Sequence, residues 1–206
     1  MPTNKEREVS GYPVLDLTLC CRWTQRLYFS AYEKVSEANN ILHTICPNLV
    51  TRKEGINKAV VAERFAEIIQ RLDATCNEVD QNLDKLLGFI SEKLESEGID
   101  PNPIVTRYAG VLNKRVLVNT PADARFLTLL KKTDRGMSFL TAAFLCHVYS
   151  TTEYARSDQD LRNWMNLLYR AHKHCCLEAS ALMEIGRTTT MHLETYRTHS
   201  HLKATA

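Results

Sequence analysis

A short strand with no neighbouring strand places the strongest constraint on this fold. Residues 113–119 read NKRVLVN, and the β-branched Val116 and Val118 alternate with other side chains. Such alternation indicates a strand whose side chains point to opposite faces. The segments on both sides have helical patterns, so no hairpin partner is adjacent. Because the strand's N–H and C=O groups need partners, a distant strand or a second copy of the chain must supply them.

Two partners for this strand fit the sequence. A second copy of the chain could pair its own strand about a two-fold axis, which would give a symmetric antiparallel ribbon. Alternatively, residues 13–21 read PVLDLTLCC, where Leu15, Leu17 and Leu19 alternate with more polar residues and also indicate a strand. Pairing of these two strands within one chain would remove the symmetric ribbon.

The residues after the strand carry helix boundary signals. Thr120 suits an N-cap, Pro121 the first helical position and Asp123 the first turn, where negative charge is favoured. Gly136 suits the end of this helix, and Ser138 can cap another. The pattern therefore predicts two helices, 120–135 and 138–150, separated by a tight turn.

A two-stranded ribbon fits the major groove of DNA, which gives this segment a candidate function. In the symmetric arrangement Arg115, Leu117 and Asn119 face base edges, while Val116 and Val118 pack inward. The backbone N–H groups at the start of the second helix would bind a phosphate. The predicted DNA-binding residues are Lys114, Arg115, Leu117, Asn119, Lys131, Lys132, Arg135, Met137 and Ser138.

Lys131, Lys132 and Arg135 have two interpretations. They cluster at the predicted turn, where they could contact the DNA backbone. They could equally complement the dipole at the helix C-terminus.

The strand, the Thr-Pro helix opening and the Gly-Met-Ser turn together resemble a ribbon-helix-helix DNA-binding domain. The resemblance covers residues 113–150. This segment departs from the ribbon-helix-helix pattern in the positions of the apolar residues along both helices, for example Phe126 and Phe139. The alternative is a strand-helix-helix element of an ordinary α-rich core.

The net charge of the chain changes sign along its length. Residues 57–100 carry ten acidic against five basic side chains, and residues 101–156 carry three acidic against eight basic. The breaker GIDPNP at 98–103 marks the predicted boundary. Within 57–97, apolar residues recur at steps of three and four and predict one long amphipathic helix. These residues, the seam, are Phe65, Ile69, Leu72, Cys76, Val79, Leu83, Leu86 and Ile90.

Composition and motifs favour a non-enzymatic protein. The 206 residues carry a formal charge of only +2, and no phosphate-binding glycine loop or hydrolase motif occurs. His172 and Cys176 are spaced like helical metal ligands but lack a second pair, so neither metal nor cofactor is expected. The polar N-terminus and the absence of a long apolar run predict a cytoplasmic protein with no membrane partner. Its seven Cys are expected as reduced thiols.

The predicted fold is mainly α with a short β-ribbon, a ribbon-helix-helix-like unit plus long helices. We divide the chain into an N-terminal strand with long acidic helices (1–100), the DNA-binding unit (101–156), a C-terminal helix (157–186) and a flexible tail (187–206).

The order of these elements resembles AcaB-like transcriptional regulators of conjugative elements, on residues 14–29 (VLDLTLCCRWTQRLYF) and 114–150. The resemblance implies a homodimeric or higher-order regulator that binds double-stranded DNA and activates conjugative transfer genes. The alternative is a helical adaptor protein that binds a partner through the seam.

Overall fold

The computed structural model describes residues 13–48, 58–100 and 110–203, with side chains described as far as residue 183. Strand β1 (Val14–Leu19) precedes helix α1 (Arg22–Asn40), which continues into a π-helical turn (Ile41–Ile45). Then follow helix α2 (Lys58–Ser96), strand β2 (Leu112–Leu117), helix α3 (Pro121–Leu145) and helix α4 (Thr151–Lys203). The prediction of a mainly helical fold with a short ribbon is confirmed.

The ribbon is formed within one chain. β1 and β2 pair antiparallel, from Val14 opposite Leu117 to Leu19 opposite Leu112. The predicted ribbon of two β2 strands from two copies is therefore wrong, because the two strands of the ribbon are β1 and β2 of the same chain. The pairing also buries both apolar faces together, since Leu17 and Val116 are at most 4% exposed.

The predicted turn between two helices is absent. α3 runs without interruption from Pro121 to Leu145, and Gly136 is buried in its interior. A Cβ atom at Gly136 would lie 3.2 Å from Cδ2 of Leu161 on α4. This glycine therefore allows two helices to approach closely and does not end a helix. The ribbon-helix-helix arrangement, which requires that turn, does not form.

The start of α3 follows the predicted signals. The Thr120 hydroxyl accepts the backbone N–H of Asp123 at 3.2 Å, and the Asp123 carboxylate accepts the backbone N–H of Thr120 at 3.1 Å. These two bonds form a capping box, in which each residue satisfies a donor that the first helical turn leaves free. The beginning of α3 is thereby fixed next to the end of β2.

The long helix predicted over 57–97 is confirmed as α2, and its seam belongs to the core of the same chain. Phe65, Leu72, Val79, Leu83 and Ile90 are all at most 5% exposed. α2 packs against α3 and α4. The free energy of burying this face therefore stabilises the fold of the single chain.

Side chains from both strands and all four helices join one hydrophobic cluster, which spans the predicted boundary at 98–103. The division of the chain into functional units stays a prediction, and residues 101–103 lie outside the described residues. α4 continues through most of the segment expected as a tail. Within the described residues, no helix combines the length and apolar character that a membrane span requires.

Candidate nucleic-acid interface

The outer face of the ribbon is a row of exposed side chains from both strands. In an antiparallel pair, residues directly opposite each other project from the same face. Asp16 lies opposite Arg115, and Thr18 lies opposite Asn113 with its hydroxyl 3.0 Å from the Asn113 Oδ1. We call the exposed residues Val14, Asp16, Thr18, Asn113, Arg115 and Leu117 the outer ribbon face.

The inner face packs on the helices, as predicted for Val116 and Val118, which are 4% and 5% exposed. Leu17 and Leu19 from β1 complete this layer at 1% and 0% exposure. The predicted separation of buried valines from exposed Arg115 and Leu117 is therefore confirmed. Alternation along the strand was sufficient to assign these faces.

Arg115 is available to a ligand. Its Nε lies 3.7 Å from Oδ1 of Asp16, and the two side chains are 81% and 86% exposed. An ion pair so open to water contributes about 0–1 kcal/mol and exchanges readily for another anion. A phosphate or a base edge can therefore compete with Asp16 for the guanidinium group.

The structure places Lys114 on the opposite face from Arg115. It lies across from the buried Leu17, and its Nζ sits 5.5 Å and 5.7 Å from the ring centroids of Tyr28 and Phe29. Its charge is thus directed toward α1 and away from the outer ribbon face.

Asn119 does not lie on the outer ribbon face either. It lies beyond the end of β2, and its Nδ2 donates to the Ser36 hydroxyl at 3.1 Å. Lys114, Leu117 and Asn119 line a groove of about 570 Å³ between β2 and α1. Sequence reasoning placed Leu117 and Asn119 on one face and counted Lys114 among the DNA-binding residues, whereas only Leu117 of these three reaches the outer ribbon face.

Lys131 and Arg135 are exposed cations of α3, and Lys131 contacts the ribbon. They are one helical turn apart, and both are exposed. The Lys131 Nζ lies 3.4 Å from the backbone oxygen of Asp16 on β1. The Arg135 guanidinium lies 4.9 Å from the centre of the Phe139 ring. Neither cation forms an ion pair with a residue that the structure describes, so Lys131 adds unpaired positive charge beside β1 and Arg135 adds it one helical turn further along α3.

Lys132, by contrast, faces α2. Its Nζ forms ion pairs with Asp80 and with Asp84, the latter at 2.6 Å, and its side chain is 20% exposed. Partial burial acts to lower the pKa of Lys132, but the hydrogen bonds to these two carboxylates together outweigh it and hold the pKa above its usual value. This lysine joins two helices and is not positioned for a ligand.

Met137 and Ser138 do not form a phosphate site. Both are buried inside α3, at 3% and 9% exposure. Their backbone N–H groups belong to a continuous helix, in which each donates to a carbonyl four residues earlier. The predicted anion site required a helix to begin here, and the uninterrupted α3 removes it.

Two buried carboxylates of α3, Asp123 and Asp134, hold the interface in place, and sequence reasoning assigned a role only to the first. Asp134 accepts the backbone N–H groups of Cys20 and Cys21 at 2.9 Å and 2.8 Å. It therefore caps α1, whose own N-cap residue makes no side-chain bond. The partners are more than 110 residues apart, so no local sequence signal could have shown this contact.

Asp123 fixes the other end of the ribbon. Beyond the capping box, its carboxylate accepts the Ser36 hydroxyl at 3.1 Å, the Asn39 Nδ2 at 2.9 Å and the backbone N–H of Asn119 at 3.1 Å. The segment after β2 is thus joined to the C-terminal end of α1. The two aspartates together hold the ribbon and α1 in a fixed position relative to α3.

With this geometry established, the chain can be compared with known proteins. No protein-family model matches it, and no curated protein matches its sequence. A solved structure does match: the crystal structure of selenomethionine-containing AcaB from uropathogenic E. coli, with a TM-score of 0.69. The match covers 86% of this chain and 88% of that chain at 17% sequence identity.

The chain has an AcaB-like fold. The resemblance inferred from residues 14–29 and 114–150 is therefore confirmed at the level of the fold. At this identity the likeness concerns backbone architecture, and the assignment of binding residues depends on the geometry of this chain.

Proposed function

We propose that this protein is a sequence-specific DNA-binding regulator of transcription that presents an intrachain β-ribbon to the major groove. The observation that carries the proposal is the outer ribbon face, where Arg115 and Asn113 stand exposed in one row, with Lys131 of α3 beside β1 and Arg135 one helical turn further along α3. The resemblance to AcaB-like regulators supports activation of conjugative transfer genes as the process involved.

The dimensions and chemistry of the ribbon suit this ligand. Two strands about 4.8 Å apart fit a major groove about 12 Å wide. Arginine can bind guanine through two hydrogen bonds, and asparagine can bind adenine in the same way. Leu117 can contact a thymine methyl group. Lys131 and Arg135 would bind phosphates, which determines register and contributes salt-dependent affinity.

Double-stranded DNA is thus the proposed partner, and a homodimer or higher oligomer remains a prediction. The argument from a shared ribbon no longer supports a dimer, since the ribbon is complete within one chain. A two-fold symmetric operator would still require two chains.

A helical adaptor that binds through the seam is less well supported. Six of the eight seam residues are buried in the described structure, and Ile69 and Leu86 pack against the same core. A partner could reach this face only if α2 separated from α3 and α4.

The test is selection from a random duplex library at two salt concentrations, followed by sequencing. The proposal predicts an enriched motif whose affinity falls as salt rises. Arg115→Ala should lose the preference at one or more positions of that motif. Lys114→Ala is the matched control, because this neighbouring cation lies on the other face of the same strand, and it should retain the motif.

Three outcomes would overturn the proposal. Wild-type protein could fail to bind duplex DNA, or bind it without enriching any sequence. Arg115→Ala could also retain the full preference while Lys114→Ala loses it, which would place the reading face on the opposite side of the ribbon.

A further inference from the structure

One face of helix α4 carries a stripe of exposed polar side chains, and this stripe is separate from the outer ribbon face. Steps of three and four residues along a helix return to one face. From the first to the last residue, the stripe spans about 26 Å at 1.5 Å per residue. All of its members are exposed, and they are Arg156, Gln159, Asn163, Asn166, Arg170 and Lys173.

The stripe carries three cations and three amides, and no acidic residue interrupts it. The acidic residues around it are mostly engaged elsewhere. Asp158 binds Arg162 through hydrogen bonds of 2.7 Å and 3.1 Å. Asp160, on the neighbouring face of α4, is half-buried.

The carboxylates at the two ends of the stripe are also paired. Glu153 accepts Lys93 at 2.8 Å, and Glu178 pairs with Arg71 and with His174. Hydrogen bonds from Lys93 and Ser150 hold the pKa of Glu153 at about 2, so it remains ionised and bound to its partners.

The cations of the stripe have no such partners. Across the described ranges, Arg156, Arg170 and Lys173 form no ion pair. The exposed surface of α2 differs in sign, since it carries Glu63, Glu78 and other carboxylates among its cations. Because no carboxylate in the part of the chain that the structure describes neutralises its charges, the stripe is suited to an anionic ligand.

The side chains identify the class of ligand. Arginine and lysine bind phosphates, and asparagine and glutamine bind phosphate oxygens or adenine edges. An α-helix also fits the major groove. A protein partner would need apolar anchors, and between residues 156 and 173, all of which the structure describes, Leu167 is the one large apolar side chain that is exposed, at 43%, beside six cations and amides. A membrane surface would likewise require an apolar face.

We infer that the stripe on α4 is a second surface for duplex DNA, separate from the ribbon. This inference rests on the proposed function for the identity of the ligand. The two surfaces have different compositions, since the outer ribbon face combines one arginine and one aspartate with apolar and small polar groups, and the stripe is entirely cationic or amide. The stripe therefore contributes salt-dependent affinity that is largely independent of sequence.

The experiment measures binding of a short fluorescent duplex of unselected sequence by anisotropy over a range of salt concentrations. Arg170→Ala/Lys173→Ala should weaken binding roughly tenfold or more and lower the salt slope by about 2, because each phosphate contact contributes about 1. Arg64→Ala/Lys85→Ala is the matched control. It also removes two exposed helical cations, here from α2, and should change affinity less than twofold.

Circular dichroism should show that both double variants keep the wild-type helix content and thermal midpoint. If the two double variants lose affinity equally, net charge explains the loss and the inference is overturned. If Arg170→Ala/Lys173→Ala binds unselected duplex like wild type while Arg115→Ala loses its motif, the stripe is not a DNA surface and the proposed function stands. If wild type binds no duplex, both proposals are overturned.

Discussion

The two sides of α3 use charge in opposite ways. On the inner side, Asp123 and Asp134 are at most 5% exposed, and their oxygens accept donors from α1, from the segment between β1 and α1 and from the segment between β2 and α3. On the outer side, Lys131 and Arg135 are exposed and form no ion pair within the described residues. The inner charges determine where the ribbon lies, and the outer charges remain free to bind a ligand.

Lys132 shows why position decides between these roles. It is adjacent to Lys131 in sequence, yet it points toward Asp80 and Asp84 on α2. A charge count over residues 101–156 therefore overstates the positive charge available to DNA. Only the cations without internal partners can release counterions from DNA when the protein binds.

Removal of the inner carboxylate should have the largest effect. Asp134→Ala leaves the N–H groups of Cys20 and Cys21 without acceptors and deprives α1 of its cap. Loss of the cap and of buried hydrogen bonds should lower the free energy of unfolding by about 3 kcal/mol. Urea unfolding followed by circular dichroism measures this change, and Asp134→Asn should lose less because it keeps one acceptor oxygen. A loss below about 1 kcal/mol for Asp134→Ala would contradict a capping role.

A smaller effect should appear with pH at His172. This residue is 1% exposed, and burial lowers its pKa below 6.5 even though its Nδ1 lies 2.8 Å from the Leu168 oxygen. The folded state therefore favours the neutral ring. Its contribution to stability should be complete above pH 6.5 and decrease as the pH falls below that value.

Unfolding of wild type and His172→Gln at pH values above and below 6.5 tests this expectation. Wild type should lose more stability on acidification than the variant does. Equal losses in the two proteins would show that His172 does not contribute to the pH dependence.

The smallest effect is expected at Gly136. Alanine favours the helix interior by about 1 kcal/mol, and its methyl group would press against the movable end of Leu161. These opposing contributions should leave the free energy of unfolding within about 1 kcal/mol of wild type. A loss of 3 kcal/mol or more would indicate the left-handed turn that the sequence predicted.

Local signals predicted much of the fold. Alternation assigned the faces of β2, the Thr-Pro-x-Asp pattern placed the start of α3, and the apolar steps of three and four defined α2. The partner of β2 could not be decided from the sequence. The alternation of Leu15, Leu17 and Leu19 predicts a strand but does not predict which strand it pairs with. The break at Gly136 was predicted wrongly, since a glycine that ends a helix and one that lets another helix approach look alike in sequence.

The candidate site was predicted less completely than the fold. Arg115 and Leu117 lie on the outer ribbon face and Lys131 lies beside β1, whereas Lys132, Met137 and Ser138 are held in internal contacts. Whether each of these side chains is exposed, and whether it is bound to a carboxylate, depends on α1 and α2, which are distant from them in sequence. The long-range cap that Asp134 provides for α1 could not be predicted from the sequence for the same reason.

The most direct test of this account compares the salt dependence of DNA affinity in two variants of α3. One variant lacks the exposed Lys131 and Arg135, and the other lacks the paired Lys132. With the duplex obtained by selection, Lys131→Ala/Arg135→Ala should lower the slope of log affinity against log salt by about 2 while retaining the stability of wild type. Lys132→Ala should leave the slope unchanged. If Lys132→Ala lowered the slope and the double variant did not, the outer side of α3 would not be the side that contacts DNA.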